Sequence, residues 1–415
     1  MVLLASLLAS CGGEASLPVL NWYVNPDNGG QAHLAAQCSA ASQGRYRIKV
    51  SVLPNEATAQ REQLVRRLAA RDASITLMSL DPPFVAEFAE AGFLRPFSDA
   101  EAGPLTEGVL AGSVESAHWD GRLVAAPFWA NSQLLWYRKS VVAKAGLDPA
   151  AVTWEQVIRA AAETGTTVEV QGARYEGYMV WISALVASAG GAMLKDPEKG
   201  KDVTPGLDSE AGRRAAAVIA ELARSPAADP ALSTADEEAG RAAFQGPRGG
   251  FMTNWAYVYG AAQEAVVAGS LPQAVLDDIG WARYPRVDAD RESRPPLGGI
   301  DLAVGAFTPY EDQAVEAVRC ITTAESQRQY MLESKNPAAR AEVYDDAEVR
   351  RVFPMAELIR ESIGAAEPRP QTPYYTDVSA AVVRSFHPPG SVRPDESPAE
   401  AARLIVDVLH DRVLL

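Results

Sequence analysis

The sequence has few of the residues that metal and nucleophile chemistry require. It contains only four histidines and three cysteines. None of the histidines stands at metal-ligand spacing from another histidine, a cysteine or a carboxylate. Neither a G-x-x-x-x-G-K-[ST] phosphate loop nor a G-x-S-x-G nucleophile motif occurs. We therefore predict no metal site, no cofactor and no enzymatic activity.

Positive charge and long apolar runs are also scarce. The formal net charge is −15 and the sequence pI is near 4.9, which argues against nucleic acid and acidic lipid headgroups as partners. A transmembrane helix needs about 20 apolar residues. The uncharged stretch at positions 2–10 is much shorter and is followed by Cys11 and two glycines. No segment is therefore predicted to span a membrane.

The N-terminal stretch ends in Leu8-Ala9-Ser10-Cys11, which resembles the lipobox of bacterial lipoproteins. The resemblance implies that residues 1–11 are a signal remnant with Cys11 as the lipidated residue, on the outer face of the cytoplasmic membrane. The alternative is a chance cysteine in an ordinary N-terminus. The remaining pair, Cys38 and Cys320, suggests one disulfide in an exported protein, and two buried thiols are the alternative.

The length and the order of elements predict a two-lobed α/β protein. A chain of 415 residues exceeds the size at which one hydrophobic core keeps growing. Alternating or continuous apolar residues predict strands at 19–24, 46–52 and 75–80, with helices at 31–41 and 57–71 between them. A β-α-β-α-β order indicates a largely parallel sheet.

Further boundaries come from capping patterns and from charged, proline-bearing stretches. Thr153 with Gln156 predicts a capping box that opens a helix reaching 162, and Ser397 with Glu400 predicts the same for a final helix to about 410. The stretches 195–204 and 285–296 are predicted to be loops.

Two acidic residues directly follow predicted strands. Asp27 lies in the turn after the first strand and Asp81 comes just after the third. Ligands of open α/β sheets gather at the carboxyl ends of the strands, so both are candidate ligand contacts. An aspartate before a helix is also a good N-cap, and that alternative stays open for each.

Aromatic and amide side chains cluster near predicted strand ends and turns. Ring faces can cover the C–H faces of a sugar while amides and carboxylates bond its hydroxyls, a mixture that suits a neutral polyol. Packing in the core is the alternative for each single ring. The residues are Trp22, Tyr23, Phe128, Trp129, Asn131, Asn254, Trp255, Tyr257, Tyr374 and Tyr375.

A longer run identifies a family. The segment 126–139, APFWANSQLLWYRK, followed by Thr153-Trp154-Glu155, resembles the signature of family 1 extracellular solute-binding proteins of ABC importers. The same order continues through Asn254-Trp255, Gly298-Gly299 and Arg369-Pro370. The resemblance covers nearly the whole chain, and within the family it is strongest to the mycobacterial trehalose-binding lipoproteins.

The resemblance implies a periplasmic-binding-protein-like α/β fold, with two lobes of mostly parallel sheets joined by hinge segments. The first lobe would comprise 17–127 plus about 301–345, and the second 128–300 plus about 346–415. It also implies a Cys38–Cys320 bridge. The expected ligand is a disaccharide, trehalose first, and the expected partners are permease subunits with their ATPase. The protein is expected to act as a lipid-anchored monomer.

The resemblance also assigns roles to individual residues. Asp27, Asp81, Asn131 and Arg369 would bond sugar hydroxyls, Trp255 would stack on a pyranose, and the backbone at Gly299 would approach the sugar closely. Asn254 and Tyr375 are added because they are neighbours of the matched residues. The chain departs from the trehalose binders at Phe128 and Trp129, which would alter the pocket, and at Asp301, where an asparagine is expected.

Three alternatives stay open at this stage. The ligand could be another α-linked glucoside or oligosaccharide. The chain could be a secreted glycoside hydrolase that uses Asp27 and Asp81 as paired carboxylates. It could instead bind ferric iron through the adjacent phenolates of Tyr374 and Tyr375.

Overall fold

A computed structural model describes residues 17–415, so the predicted lipidation site at Cys11 lies outside the described residues. Within 17–415, no helix combines the length and the apolar character that crossing a bilayer requires.

The strands of the described residues are between 2 and 13 residues long. They are β1 Val19–Val24, β2 Arg47–Val52, β3 Leu77–Leu80, β4 His118–Trp119, β5 Arg122–Leu123, β6 Ala126–Arg138, β7 Thr167–Glu169, β8 Leu194–Lys195, β9 Thr204–Pro205, β10 Gly249–Trp255, β11 Ile279–Ala282 and β12 Leu297–Val304.

The helices surround these strands. They are α1 Gly30–Ala41, α2 Ala57–Ala69, α3 Val85–Glu90, α4 Asp99–Thr106, α5 Ala111–Ser116, α6 Lys139–Ala145, α7 Trp154–Thr164, α8 Glu176–Ser188, α9 Glu210–Arg224, α10 Glu237–Gln245, α11 Tyr257–Val267, α12 Gln273–Asp278, α13 Glu311–Ile321, α14 Ala324–Ser334, α15 Ala347–Val352, α16 Ala356–Ala365, α17 Tyr375–Phe386 and α18 Ser397–Leu409.

Most local predictions agree with these bounds. The predicted strands and helices of the first third correspond to β1, α1, β2, α2 and β3. Thr153 and Gln156 form the predicted capping box at α7. Residues 285–296 form no helix or strand, as predicted, whereas 195–204 holds the ends of β8 and β9 and a 3₁₀ turn.

The predicted capping box at the last helix is wrong. The Ser397 hydroxyl accepts a hydrogen bond from the backbone N–H of Arg393, 3.1 Å away, instead of from the helix that follows. No side chain caps the first turn of α18, which carries Pro398 near its start. Proline has no N–H to satisfy and its φ suits a first turn, so the helix begins without the box.

The central strands run in the order β2-β1-β3-β12-β6-β10-β7, with β11 also paired to β6. β1 is parallel to β2 and to β3, and β10 is parallel to β7. The pairs that join these parallel groups, β3–β12, β12–β6 and β6–β10, are antiparallel.

Two long strands belong to both halves of the molecule. One end of β12, Asp301–Val304, pairs with β3, and its register on β6 shifts between Ile300 and Asp301. β6 likewise pairs with β12 through its first half and with β10 through its second. This is the predicted two-lobed, periplasmic-binding-protein-like fold, in which β6 and β12 are the hinge strands.

The first lobe contains the predicted disulfide and the ring of Phe128. The Cys38–Cys320 disulfide is present and joins α1 to α13. Phe128 is fully buried, with its ring centroid 5.8 Å from that of Trp22 and 4.7 Å from that of Tyr330. The Phe128 ring is therefore part of the core, whereas Trp129 lines the cavity.

Candidate functional site

A large cavity lies where the two lobes face each other across the hinge strands. Its volume is about 750 Å³ and its lining comes from both lobes. Sites for small ligands in proteins commonly measure roughly 300–1,000 Å³ and combine apolar walls with a few polar groups. The cavity is therefore of the right size for a disaccharide-sized molecule.

The wall from the first lobe is polar and carries no aromatic ring. It comprises Asn25, Pro26, Asn55, Glu56, Ala57, Gln60 and Asp81, which follow β1, β2 and β3. The Glu56 carboxylate accepts the backbone N–H groups of Thr58 at 3.0 Å and Ala59 at 2.8 Å, and so caps α2. Three parallel strands thus deliver polar groups to one edge, as their direction requires.

The wall from the second lobe carries rings beside carboxylates. Tyr175, Trp255 and Tyr257 line it, together with the start of α10 from Asp236 to Glu238. The Tyr175 hydroxyl donates to the Glu237 carboxylate at 2.6 Å, and the Tyr257 hydroxyl donates to Glu238. Burial raises the pKa of Glu237, opposed in part by the Tyr175 and Trp255 hydrogen bonds.

The hinge strands contribute the floor, including Trp129, Asn131 and the Gly298-Gly299 pair. Gly299 has φ +134, and a Cβ there would lie 2.3 Å from the backbone oxygen of Trp129. A Cβ on Gly298 would lie 2.8 Å from the Trp255 ring. Both glycines therefore allow close packing, and Gly298 leaves the space that the Trp255 ring occupies.

A buried ion-pair cluster closes one end of the cavity and joins the lobes. Arg369 donates to Asp81 at 2.6 Å and to Glu176 at 2.7 Å, and is only 4% exposed. Glu176 also accepts the hydroxyls of Ser379, at 2.7 Å, and Tyr375. Burial raises the pKa of the Asp81 and Glu176 carboxyls, and the Arg369 guanidinium offsets part of that effect.

Several polar atoms of the lining lack a partner among residues 17–415. They include the side-chain oxygen of Asn25, the indole nitrogen of Trp129 and Nε of Arg369. Asn131 uses its side-chain oxygen to accept the backbone N–H groups of Ser132 at 2.9 Å and Ala256 at 3.4 Å. Buried polar groups are normally paired, so the unpartnered atoms of Asn25, Trp129 and Arg369 are available to a bound molecule or to water.

Five of the eight predicted contact residues line this cavity. They are Asp81, Asn131, Trp255, Gly299 and Arg369. Of these, Asp81 and Arg369 already bond each other, which sequence reasoning did not foresee.

The other three predicted contact residues lie outside the cavity lining. Asp27 caps α1, accepting the backbone N–H groups of Gly29 at 2.9 Å and Gln31 at 2.8 Å. Asn254 is fully buried and donates to the backbone oxygen of Glu237 at 2.9 Å. Tyr375 is fully buried with its hydroxyl on Glu176. None of them lines the cavity.

Of the two aspartates in the glycosidase alternative, only Asp81 lines the cavity, whereas Asp27 accepts backbone N–H groups of Gly29 and Gln31. The Tyr375 phenol is committed to Glu176. Among residues 17–415, no group of three or more His, Cys, Asp or Glu side chains could hold a metal ion.

Sequence reasoning missed several lining residues. Asn55 and Glu56 follow β2, so the strand-end rule that selected Asp27 and Asp81 would have found them. Tyr175, Glu176 and Glu237 had no such signal, because they lie at or just before the starts of α8 and α10 and meet the first lobe only in the tertiary structure.

Comparison with known proteins agrees with this architecture. The family model for bacterial extracellular solute-binding proteins matches residues 41–328. A probable ABC transporter-binding protein of Deinococcus radiodurans is 25% identical over 338 residues, which cover 78% of this chain and 76% of that protein.

Solved structures resemble the fold over almost the whole chain. Maltose-bound MalE3 of T. maritima has a TM-score of 0.80 at 23% identity, covering 95% of this chain and 100% of that one. The GacH receptor of Streptomyces glaucescens, solved unliganded and with acarbose, has a TM-score of 0.78 at 21% identity, covering 95% and 98%. A solute-binding protein of Thermotoga lettingae bound with α-D-tagatose has a TM-score of 0.77 at 20% identity, covering 94% and 100%. Since the family match spans more than half of the chain, this protein belongs to the bacterial extracellular solute-binding proteins.

Proposed function

We propose that the protein captures a disaccharide in the cavity between its lobes and delivers it unchanged to the permease and ATPase of an ABC importer. One observation carries the proposal. A cavity of about 750 Å³ joins tryptophan and tyrosine rings on one side to amides and carboxylates on the other.

This combination matches the two kinds of surface that a sugar presents. The C–H faces of a pyranose are apolar and pack on ring faces, here offered by Trp255 and Trp129. Its hydroxyls both donate and accept, and Asn131, Asn25 and Asp81 offer both roles. The unpartnered polar atoms of Asn25 and Trp129 would be satisfied by such a ligand.

Sugar ligands named in the titles of similar structures support the same class. Those proteins were solved with maltose, acarbose and α-D-tagatose. Trehalose is our first choice because segments 135–138, 318–320 and 369–370 resemble those of trehalose binders. Another α-linked glucoside is the second choice, since Trp129 enlarges the apolar part of the floor.

Transport also requires a place and a partner. We propose that Cys11 carries lipid, which would hold the monomer on the outer face of the cytoplasmic membrane near its permease. A Cys11→Ala variant should move from the membrane fraction to the medium or periplasm. Continued membrane association of this variant would contradict the anchor.

The relevant motion would be closure of the lobes about β6 and β12. The Asp81–Arg369 pair and the Phe84–Tyr375 ring contact, with centroids 5.6 Å apart, already join the lobes beside the cavity. A sugar that bonds both walls would stabilise the same closed arrangement, which the permease can recognise.

Calorimetric titration of trehalose, maltose and sucrose into the purified protein tests the proposal. We expect saturable binding of at least one disaccharide, with a shift in tryptophan emission because Trp255 and Trp129 line the cavity. No heat, no emission change and no rise in melting temperature with any sugar would contradict it, and so would release of reducing sugar.

A further inference from the structure

The cavity lining is strongly unbalanced in charge. Six carboxylates line it, against one cationic side chain, Arg369. The carboxylates are Glu56, Asp81, Glu176, Asp236, Glu237 and Glu238. A site for a neutral polyol needs hydrogen-bonding groups, but it does not need this excess of negative charge.

Most of these carboxylates have partners that explain them. Asp81 and Glu176 share Arg369, and Glu238 pairs with Arg241 at 2.6 Å. Glu56 and Asp236 cap α2 and α10 through backbone N–H groups, where the helix N-terminus favours a negative charge.

Glu237 differs from the other five. It accepts the Tyr175 hydroxyl and lies against the Trp255 indole, in the first turn of α10 next to another carboxylate, Asp236. Among the described residues no cationic side chain forms a salt bridge with it. Glu237 is half-buried, and a carboxylate partly withdrawn from water without a cation is unfavourable, so a positive charge from outside would be well received there.

A second observation indicates that a polar ligand enters here. Asn131 is only 5% exposed and lines the same cavity. Its side-chain oxygen is used by Ser132 and Ala256, while its amide nitrogen donates to no residue of 17–415. The buried oxygen of Asn25, on the opposite wall, also lacks a partner.

We infer that the preferred ligand is an amino sugar, in which a pyranose packs on Trp255 and a protonated amine on that ring bonds Glu237. The inference rests on the proposed sugar-binding function and narrows its ligand class from neutral sugars to those that carry an amine.

A hydroxyl and an ammonium interact differently with a half-buried carboxylate such as Glu237. Both can donate a hydrogen bond to it, but only the ammonium adds a Coulomb attraction between opposite charges. The ammonium also supplies the cation that Glu237 lacks among the described residues. The overall charge of −15 adds a long-range attraction for cations.

The test compares sugars that differ in a single group. Trehalose and glucose are titrated beside their 2-amino analogues, trehalosamine and glucosamine, and beside the N-acetylated amines, which keep the nitrogen but lose the charge. We expect at least one amine to bind about ten- to a hundred-fold more tightly than its hydroxyl and N-acetyl counterparts.

A Glu237→Gln variant should remove this preference while keeping an oxygen that can accept the Tyr175 hydroxyl. The melting temperature and the circular dichroism of the variant, measured beside the parent protein, show whether it is folded. Glu163→Gln, on the exposed face of α7, is the matched control and should keep the preference.

The outcomes separate the two proposals. Neutral sugars that bind as tightly as their amines overturn the amino-sugar inference and leave the sugar-binding function standing. A preference for amines that survives Glu237→Gln overturns the role of Glu237 in the inference. Failure of every sugar, neutral or amino, overturns the proposed function and the inference together.

Discussion

The two walls of the cavity use different chemistry although they face the same space. The first-lobe wall consists of amides and carboxylates that follow three parallel strands, with no ring among them. The second-lobe wall brings Tyr175, Trp255 and Tyr257, which offer apolar surface. Ring stacking needs one good face, whereas hydroxyls need donors and acceptors placed around them.

This difference suggests a division of labour. Stacking is tolerant of small changes in orientation, so a sugar can settle on the second-lobe wall before the lobes close. Hydrogen bonds depend on distance and angle, and the first-lobe groups would reach the sugar only in the closed form. Substitutions on each wall, and where the walls meet, can break or sharpen this contrast.

The largest effect on stability is expected at the Arg369 ion-pair cluster, where the two walls meet. Arg369→Met leaves Asp81 and Glu176 buried without their cation, so we expect a loss of about 3–5 kcal/mol in the free energy of unfolding. Arg283→Met removes an exposed pair with Glu361, whose side chains are 43% and 45% exposed, and should cost less than about 1 kcal/mol. Denaturant titration measures both variants. Equal losses of stability in the two variants would show that the buried cluster stabilises the fold no more than an exposed ion pair does.

Affinity should depend more on the second-lobe ring than on a first-lobe amide. Trp255→Ala removes the stacking face, and we expect sugar affinity to fall by about a hundred-fold. Asn55→Ala removes one exposed hydrogen-bonding group and should cost about ten-fold or less. Trp119→Ala, in the β4–β5 hairpin outside the cavity, is the control and should bind sugar normally. Similar losses for Trp255 and Asn55 would contradict the division of labour.

The free energy of unfolding should depend on pH because of one carboxyl group on the hinge strand β12. Burial raises the pKa of Asp301 on β12 to about 8, partly offset by the Ser116 hydroxyl 3.2 Å away. The folded protein therefore holds a proton there that the unfolded chain releases at acidic pH. The contribution of the protonated Asp301 to the free energy of unfolding is therefore fully present below the ordinary pKa of an aspartate, and it is lost as the pH rises through about 8.

Asp301→Asn mimics the protonated form at every pH. We expect the variant to raise the melting temperature at pH 8 clearly more than at pH 4.5, measured by thermal denaturation. Asp407→Asn on α18, whose side chain is 41% exposed, serves as a control without that pH dependence. An equal gain at both pH values would mean that Asp301 is ionised in the fold.

The smallest effect separates two aspartates that look alike in sequence. Asp27→Ala removes the cap of α1, so we expect a loss of about 1 kcal/mol in stability and no change in sugar affinity. Asp81→Asn should instead weaken sugar binding, because Asp81 lines the cavity. Reduced affinity in the Asp27 variant, with normal folding, would restore it as a ligand contact.

Prediction from the sequence succeeded where the signal was local or carried by a family motif. Apolar alternation identified β1 and β2, and the spacing of Thr153 and Gln156 identified the start of α7. The run around Asn131 indicated the family that the comparison then showed. Asn254 and Tyr375 do not line the cavity, because proximity in sequence to Trp255 and Tyr374 does not determine which way a side chain points.

The sequence by itself determined the two-lobed α/β architecture and the strand ends at which polar groups gather. Periodicity and capping act over a few residues, and the family motifs are contiguous, so both can be read along the chain. Only the tertiary structure decided that Asp81 meets Arg369 and Glu176, that Asp27 serves its own helix, and that Glu237 stands beside Trp255 without a cation. These relations join residues tens to hundreds of positions apart or depend on side-chain direction. They follow from the packing of elements against one another, which no local pattern in the sequence records.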